Sequence, residues 1–594
     1  MSNSKRINAL NFKIILNDCA YLLALFVIAL IVYGTRLGFD TSDEAWVLSL
    51  VDSRRITYAE PWAYHYVLHP LWSLVGEKVI AFRILRVIGY VASAIFLAYA
   101  GEKFLRFLSS AFPVKTYRAF LGLFAVLGAS WAWIWAPQTL GYNEVSGFLG
   151  VTVAALVLLL VATNQSSKPK KYLFAIGFIL ALIAPFKYPS TFALSALVFF
   201  LIIGLTSLKG RRLKSLLQVF LGGITTLVFL YLIDLPFRNW LGTIKRLFTD
   251  EELQALFAHP IGPLLKTNIV DLLAGLRSTA LLSLLPLVIL LLLVTKVANG
   301  KQEKYLFIKL LGLAFSGFTV YFFIQVLVLP NLEWHYWVLN SISGFIGITG
   351  LAVFLFVTRG YGKSEQLRDT HLAGLFIFGT PLTLAFGTNN PILGQVNYSM
   401  APWLWLYAAS LALLVVRFPG FITGTVFITY TIIGIVSTVA MVLYGLLVAP
   451  YRGNPIQANT TSSSVPELKG ILMPSVTARQ LDWINEAGGD SEFNDRETIS
   501  IASPGLLFAF NNSSFASPFI IDGWPISYLS VDQACKESGV APLILKDASI
   551  EFPSSILPAL GKCGITSMDQ YELVDQHISE SGIPDAQIWV PVAN

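Results

Sequence analysis

Apolar runs long enough to cross a bilayer recur along most of the chain, and few folds accommodate that. A hydrocarbon core is crossed by about 20 apolar residues of helix, and backbone inside it must satisfy its own hydrogen bonds. Runs near 19–37, 79–100, 119–136, 143–163, 172–185, 190–206, 216–235, 278–296, 305–329, 336–357, 371–387, 400–416 and 421–449 fit that length. Charged, Pro or Gly-rich residues close each one, so they read as thirteen helical spans. Only 13% of the 594 residues are charged and 55% are hydrophobic, against roughly 25% charged in soluble domains. A soluble cytosolic enzyme is excluded. Lys5, Arg6 and Lys13 lead into an apolar run with no small-residue cleavage site, so the first span is expected to remain as an anchor.

Lys and Arg fall in alternate loops: Lys103 to Arg118, Lys168 to Lys171, Lys209 to Lys214, Lys296 to Lys309 and Arg359 to Arg368. The amino terminus and these short loops hold 22 of the 41 Lys and Arg, so the net charge of +6 is mainly a topology signal and does not argue for nucleic acid. The expected orientation has the amino terminus in the cytoplasm. Loops 38–78, 236–277, 330–335 and 388–399 and everything beyond 450 then lie outside, in the plasma (inner) membrane of a bacterium.

Composition changes at Tyr451. Residues 1–450 read as a transmembrane domain, 451–466 as a polar linker, and 467–594 as a small extracytoplasmic α/β domain with a short, mostly parallel sheet. Within it, Thr477 and Gln480 suggest a capping box for a helix ending at Gly488-Gly489. Strands are expected at Thr498–Ala502, Leu543–Leu545, Tyr571–Val574 and Gln587–Val592. Cys535 and Cys563 are either bridged in an oxidising compartment or two buried thiols, and the sequence leaves both open. No internal repeat stands out.

Charged residues gather at the outer boundary. Asp40, Asp43 and Glu44 follow the first span, and the apolar run behind them suggests an amphipathic helix at the interface with its acids at the favourable amino end. Arg83 and Arg86 share one helix face at a depth where unpaired charge is costly; snorkelling to headgroups is the alternative. Lys187 lies between Pro185 and Pro189 at the next outer hairpin, and Glu144 opens the fourth span on the same side. This pattern suits a polyprenyl-phosphate donor: cations hold the phosphate while one carboxylate takes the acceptor proton, and no acid is required on the leaving side.

With these residues in view, the first 210 or so positions resemble the GT-C superfamily of lipid-linked-sugar glycosyltransferases, particularly the protein O-mannosyltransferase and aminoarabinose-transferase branch. The resemblance lies in the layout of Asp43-Glu44-Ala45-Trp46, the Pro61 to Pro70 stretch, Gly76, Arg83 and the Lys187 hairpin. It implies a GT-C-like fold and an inverting glycosyltransferase taking a hexose or pentose from a polyprenyl-phosphate carrier. The acceptor would be an envelope glycolipid, polysaccharide or protein. Carried onto matching positions, it implies Asp43 as base, Glu44 as its partner, and Arg83, Arg86 and Lys187 as donor-phosphate holders. Glu144 falls where the branch often carries a second acid, though the Asn143-Glu144 context departs from the usual aspartate; Asp40 competes for the base role. Some members use a divalent cation, for which Asp40, Asp43 and Glu44 are the oxygen ligands on offer.

Glu333 and His335, among three aromatics at a span junction, are either a substrate contact or an interfacial belt. Gly387 to Pro391 is a polar turn on the same face, and loop 236–277 either covers the cleft or is a solvated face. In the outer domain Trp524 is the aromatic expected to stack on an acceptor. Gly360 to Ser364 ends like a phosphate loop, but Val357 stands at its first glycine. Asp-x-Asp, His-Glu-x-x-His, Gly-x-Ser-x-Gly and Cys-x-x-Cys are all missing, which removes nucleotide-sugar enzymes of that type, zincins, serine hydrolases and thiol redox proteins. The rival class is a transporter or flippase of lipid-linked glycans, whose acids should sit at the bilayer midplane in broken helices. A catalytically inactive scaffold is the third reading.

Overall fold

The computed structural model describes residues 3–53, 63–232, 332–448 and 450–592, short breaks aside, and isolated positions between 240 and 270. Among these, five helices are long and apolar enough to cross a membrane, or six if a bent pair counts as one, and the chain is an integral membrane protein. In chain order the helices are α1 (Asn3–Gly34), α2 (Asp43–Ser53), α3 (Tyr64–Leu74), α4 (Val79–Leu108), α5 (Val114–Ser130), α6 (Tyr142–Thr163), α7 (Pro169–Ile183), α8 (Tyr188–Gly204) and α9 (Arg212–Leu232). They continue with α10 (Leu332–Thr358), α11 (Ser364–Ala385), α12 (Ala401–Arg417) and α13 (Phe421–Leu443). The expected spans 278–296 and 305–329 and most of the loop 236–277 lie outside the described residues.

Small residues let these helices approach closely. A Cβ at Gly177 in α7 would stand 1.8 Å from the Val219 carbonyl of α9, and one at Gly222 would stand 2.0 Å from the Phe174 carbonyl. Such contacts replace the hydrophobic drive that lipid does not supply between membrane helices. A short helical turn, Ile392–Ser399, is bent by 77° from α12 and brings Gln395 and Tyr398 inward.

The carboxy-terminal elements differ from the expectation in sheet direction. Two short strands, β1 (Thr461–Ser462) and β2 (Leu472–Met473), pair antiparallel. A four-stranded sheet follows from β3 (Thr498–Ile501), β4 (Leu543–Asp547), β5 (Tyr571–Ile578) and β6 (Pro584–Pro591), in the order β3-β4-β6-β5. Only β3 and β4 are parallel; the β4–β6 and β5–β6 pairs are antiparallel. The reason is connection length. A crossover through helices α15 (Pro504–Phe510) and α16 (Pro525–Ser538) separates β3 from β4, whereas Ser579–Ile583 joins β5 to β6 as a hairpin turn. Helix α14 runs from Ser475 to Gly488 and starts after Pro474, so Thr477 lies inside it and the expected capping box does not form there. Ser567 and Gln570 form one instead. Cys535 and Cys563 are bridged.

One buried cluster joins the first loop to this region: Ala45, Leu48 and Val51 of α2 and Phe82 of α4 pack with Leu481, Leu507 and Ile588. The chain leaving α1 is tied in by backbone, with Gly38 N–H donating to Leu472 O at 2.7 Å and Leu472 N–H to Arg36 O at 2.7 Å. Helix α2 is thus buried on both faces rather than lying half-exposed at the interface, as its nearly continuous apolar sequence after Glu44 requires.

Candidate functional site

Three consecutive structural devices shape the start of α2. Asp40 Oδ1 accepts from Ser42 N–H at 2.9 Å and Ser42 O–H at 2.5 Å, and Oδ2 accepts from Glu44 N–H at 3.2 Å. Glu44 Oε2 accepts Asp40 N–H in return at 3.3 Å, a reciprocal lock on the helix amino end. Burial pushes the Asp40 carboxyl up to about 6 against the Ser42 hydrogen bonds, with Asp43 and Glu44 adding repulsion. Asp40 is therefore the cap of this helix, and its oxygens are occupied.

Glu44 is paired with Arg83 inside the protein, both side chains 1% exposed. Arg83 Nε donates to Oε1 at 2.8 Å and Nη2 to Oε2 at 2.6 Å. The remaining donors reach Thr35 O at 2.8 Å, Leu37 O at 3.4 Å and Gly38 O at 2.8 Å. A guanidinium has five N–H groups, and all five are used here. None is left for a donor phosphate.

Arg86, one turn along α4, is equally sealed. Its Nη1 donates to Pro137 O, its Nη2 donates to Ala132 O at 2.6 Å, and the guanidinium lies over the Trp133 ring at 4.7 Å. Glu144 Oε1 stands 3.8 Å from Nη2. Glu144 Oε2 accepts Gly141 N–H at 3.0 Å, while Glu144 Oε1 and Arg86 Nε have no hydrogen-bond partner among the described residues. Lys187 caps the turn before α8, buried, with Nζ donating to Leu384 O at 2.9 Å.

Asp43 points elsewhere, into a cleft of about 600 Å³. Tyr451 O–H donates to its Oδ2 at 2.5 Å, and Arg452 Nη1 donates to its Oδ1 at 3.0 Å and to Ser42 Oγ at 2.8 Å. Burial and the Asp43 charge push the Tyr451 phenol upward, so it stays a donor. Arg452 holds this position with φ 47°, a left-handed conformation that non-glycine residues rarely adopt and that clusters at working sites. The walls include Trp46 of α2, Thr139, Gly141 to Glu144, Asn390, and Gln395 and Tyr398 of the bent turn. Arg83, Arg86 and Lys187 are not among the lining residues; the cation that is, Arg452, belongs to the stretch 451–466 that the composition makes a polar linker. Only a contact 409 residues distant reveals it.

The other candidates are placed as follows. Trp524 stacks edge-on against Trp46, ring centroids 6.3 Å apart, and so stands behind the cleft wall. Glu333 and His335 are in the first turn of α10, and their side chains lie outside the described residues. Asp40, Asp43 and Glu44 do not converge on a common point for a cation: their oxygens face the helix amino end, Tyr451 with Arg452, and Arg83 respectively. Among the described residues no three His, Cys, Asp or Glu side chains group to hold a metal.

A family model described as a family of unknown function (DUF6427) matches residues 133–273, a stretch that includes Glu144 and Lys187. No curated protein matches the chain. Among solved structures, the Archaeoglobus fulgidus oligosaccharyltransferase complexed with Zn and sulfate is similar at 11% identity and a TM-score of 0.44, over 96% of this chain and 72% of that one. AglB from the same organism, with an inhibitory peptide and a dolichol-phosphate, gives 11% and 0.43 over 95% and 74%. ArnT from Cupriavidus metallidurans in the apo state gives 12% and 0.36 over 98% of both chains. Likeness this distant leaves the chemistry to the residues of the cleft.

Proposed function

We propose that this protein is an integral-membrane glycosyltransferase that moves a sugar from a polyprenyl-phosphate carrier to an envelope glycolipid, polysaccharide or protein. The observation that supports it best is a partly exposed carboxylate, Asp43, on the wall of a cleft of about 600 Å³, with Arg452 on one of its oxygens and Glu144 in the same wall. In this reading residues 1–450 are the membrane domain, 451–466 the connection that delivers Tyr451 and Arg452, and 467–594 an extracytoplasmic domain. The distribution of Lys and Arg supports a cytoplasmic amino terminus and a cleft on the outer face.

The step is a single displacement. The acceptor hydroxyl oxygen bonds to the anomeric carbon as the bond from that carbon to the phosphate oxygen breaks, which inverts the centre. The hydroxyl proton goes to Asp43, and the bonding electron pair leaves with the carrier phosphate, whose charge Arg452 meets. Glu44 and Arg83 act by fixing α2 and hence Asp43. Arg86 and Lys187 balance Glu144 from behind. The carrier enters sideways from the lipid.

The test is sugar transfer by purified protein from a panel of synthetic polyprenyl-phosphate sugars, wild type beside Asp43→Asn, with divalent ion added and withheld. Asn keeps size and hydrogen bonding and removes the base. Turnover of one donor should fall about 10²–10⁴-fold in the variant with donor binding retained. Binding without turnover, identical in both proteins, would sink the reading, and transport of the glycan across vesicles becomes the next assay.

A further inference from the structure

A polar atom shut away from water needs a partner, and an orphan in a native fold points to whatever supplies one. Wall residues of the cleft carry several. Thr139 Oγ1, Glu144 Oε1 and Gln395 Oε1 have no hydrogen-bond partner among the described residues, on residues only 1%, 3% and 8% exposed. Asn143 Oδ1, on the same wall, is a fourth. Thr139 precedes α6, Asn143 and Glu144 lie in its first turn, and Gln395 belongs to the bent turn before α12. Asp43 differs, since both of its oxygens are engaged by Tyr451 and Arg452.

The chemistry of these groups selects their ligand. A carboxylate only accepts, a hydroxyl accepts and donates, and an amide in either orientation pairs with a hydroxyl. A phosphate has nothing but acceptor oxygens and would meet Glu144 with like charge. A hydroxyl-rich ring offers donors to Glu144 and both roles to the others. Tyr142 and Tyr398 line the same wall and add flat faces on which ring C–H groups pack.

We propose that Thr139, Asn143, Glu144 and Gln395 form a subsite for the sugar ring, set apart from the phosphate end of the donor at Arg452. Calling that ring the transferred sugar rests on the glycosyl-transfer reading; the preference for a hydroxyl-rich, uncharged group does not. Glu144 is then a specificity residue that acts on sugar hydroxyls.

The full chain in lipid nanodiscs tests this by equilibrium binding. The probes are bare polyprenyl phosphate and the same carrier bearing glucose, galactose, mannose, N-acetylglucosamine or arabinose. At least one glycosylated carrier should bind wild type more tightly than the bare one. Glu144→Gln should cut that advantage about tenfold, Thr139→Val about threefold, and neither should change affinity for the bare carrier. Glu144 belongs to a buried pair, so if its variant does not fold, Thr139→Val decides, because that side chain makes no hydrogen bond among the described residues that the change would break. The subsite is overturned if no glycosylated carrier gains over the bare one, if the variants weaken bare and glycosylated carriers alike, or if the advantage survives in the variants that fold. Sugar-dependent binding that Thr139→Val removes, without any turnover, would defeat glycosyl transfer and keep the subsite. Turnover with an unchanged sugar advantage would do the reverse.

Discussion

Arg83 and Arg86 stand one turn apart on α4, both sealed from solvent, and each faces a glutamate. Their surroundings are opposite. Around Arg83 every donor has an acceptor, and the Glu44 oxygens take Arg83 and the backbone N–H of Asp40. Around Arg86 the nearest glutamate oxygen, Glu144 Oε1, is 3.8 Å away, and among the described residues neither that oxygen nor Arg86 Nε has a hydrogen-bond partner. A closed set of partners marks a pair that holds structure, whereas an open set beside a cleft marks a pair that waits for a ligand.

Breaking each pair should separate them most sharply. Arg83→Met leaves a buried carboxylate and the Thr35 and Gly38 carbonyls without their partner, a loss of about 3–5 kcal/mol. Little folded protein should survive in detergent, read by size exclusion and thermal melting. Arg86→Met also strips two carbonyls, of Ala132 and Pro137, but leaves Glu144 with Gly141 N–H and a neighbouring Lys187, and should cost roughly half as much. Equal losses in the two variants would erase the distinction.

That distinction was only half legible in the sequence. The spacing of Arg83 and Arg86 on one face could be read from helical periodicity, as could the long apolar helices α1, α4, α6, α9 and α13, because a bilayer imposes a length that apolar runs display directly. What each arginine does depends on carbonyls of Thr35, Gly38, Ala132 and Pro137, and backbone acceptors leave no mark in a side-chain pattern. Arg452 was hidden differently: a Tyr-Arg-Gly turn after the last span looks like any linker start, and its left-handed backbone at a non-glycine residue has no sequence signal. The hairpin between β5 and β6 did have one, Gly582 at φ 76°, and its five-residue length already implied antiparallel strands.

If the Arg83 pair is purely structural, the donor phosphate depends on Arg452. Arg452→Ala should lower kcat/KM about 10²–10³-fold, with the melting temperature little changed because its side chain is half exposed. A loss within threefold would return the phosphate to Arg86 or Lys187 and undo the comparison.

Asp40 offers a pH handle on the closed pair, because it caps the helix that carries Glu44. Its folded-state value of about 6 lies above the unfolded value near 3.9. The stability it contributes is thus complete below about pH 4 and is lost as pH rises through 6, roughly 2–3 kcal/mol in all. Wild type should melt at progressively lower temperature across that window relative to Asp40→Asn, which stays flat. A parallel decline in both proteins would assign the titration to another group.

The gentlest probe adds one methyl group to a glycine that is hydrogen-bonded to each pair. At Gly141 a Cβ would stand 2.8 Å from Glu144 Oε2, the oxygen that accepts the Gly141 N–H, and its next neighbours are Val47 methyls at 3.7 and 3.8 Å. The movable end of a side chain is what gives way, so Gly141→Ala should turn the carboxylate and leave the fold intact. At Gly38, whose carbonyl accepts from Arg83, a Cβ meets nothing within 4 Å but is strained by φ 68°. Gly38→Ala should therefore cost about 1 kcal/mol of stability and leave donor selection alone. Gly141→Ala should do the opposite, raising KM for the glycosylated donor about threefold with an unchanged melting temperature, because only the open pair has an oxygen whose direction matters to a ligand. If Gly141→Ala instead lowers stability and spares KM, the Glu144 carboxylate is held for the fold, and the two pairs are of one kind.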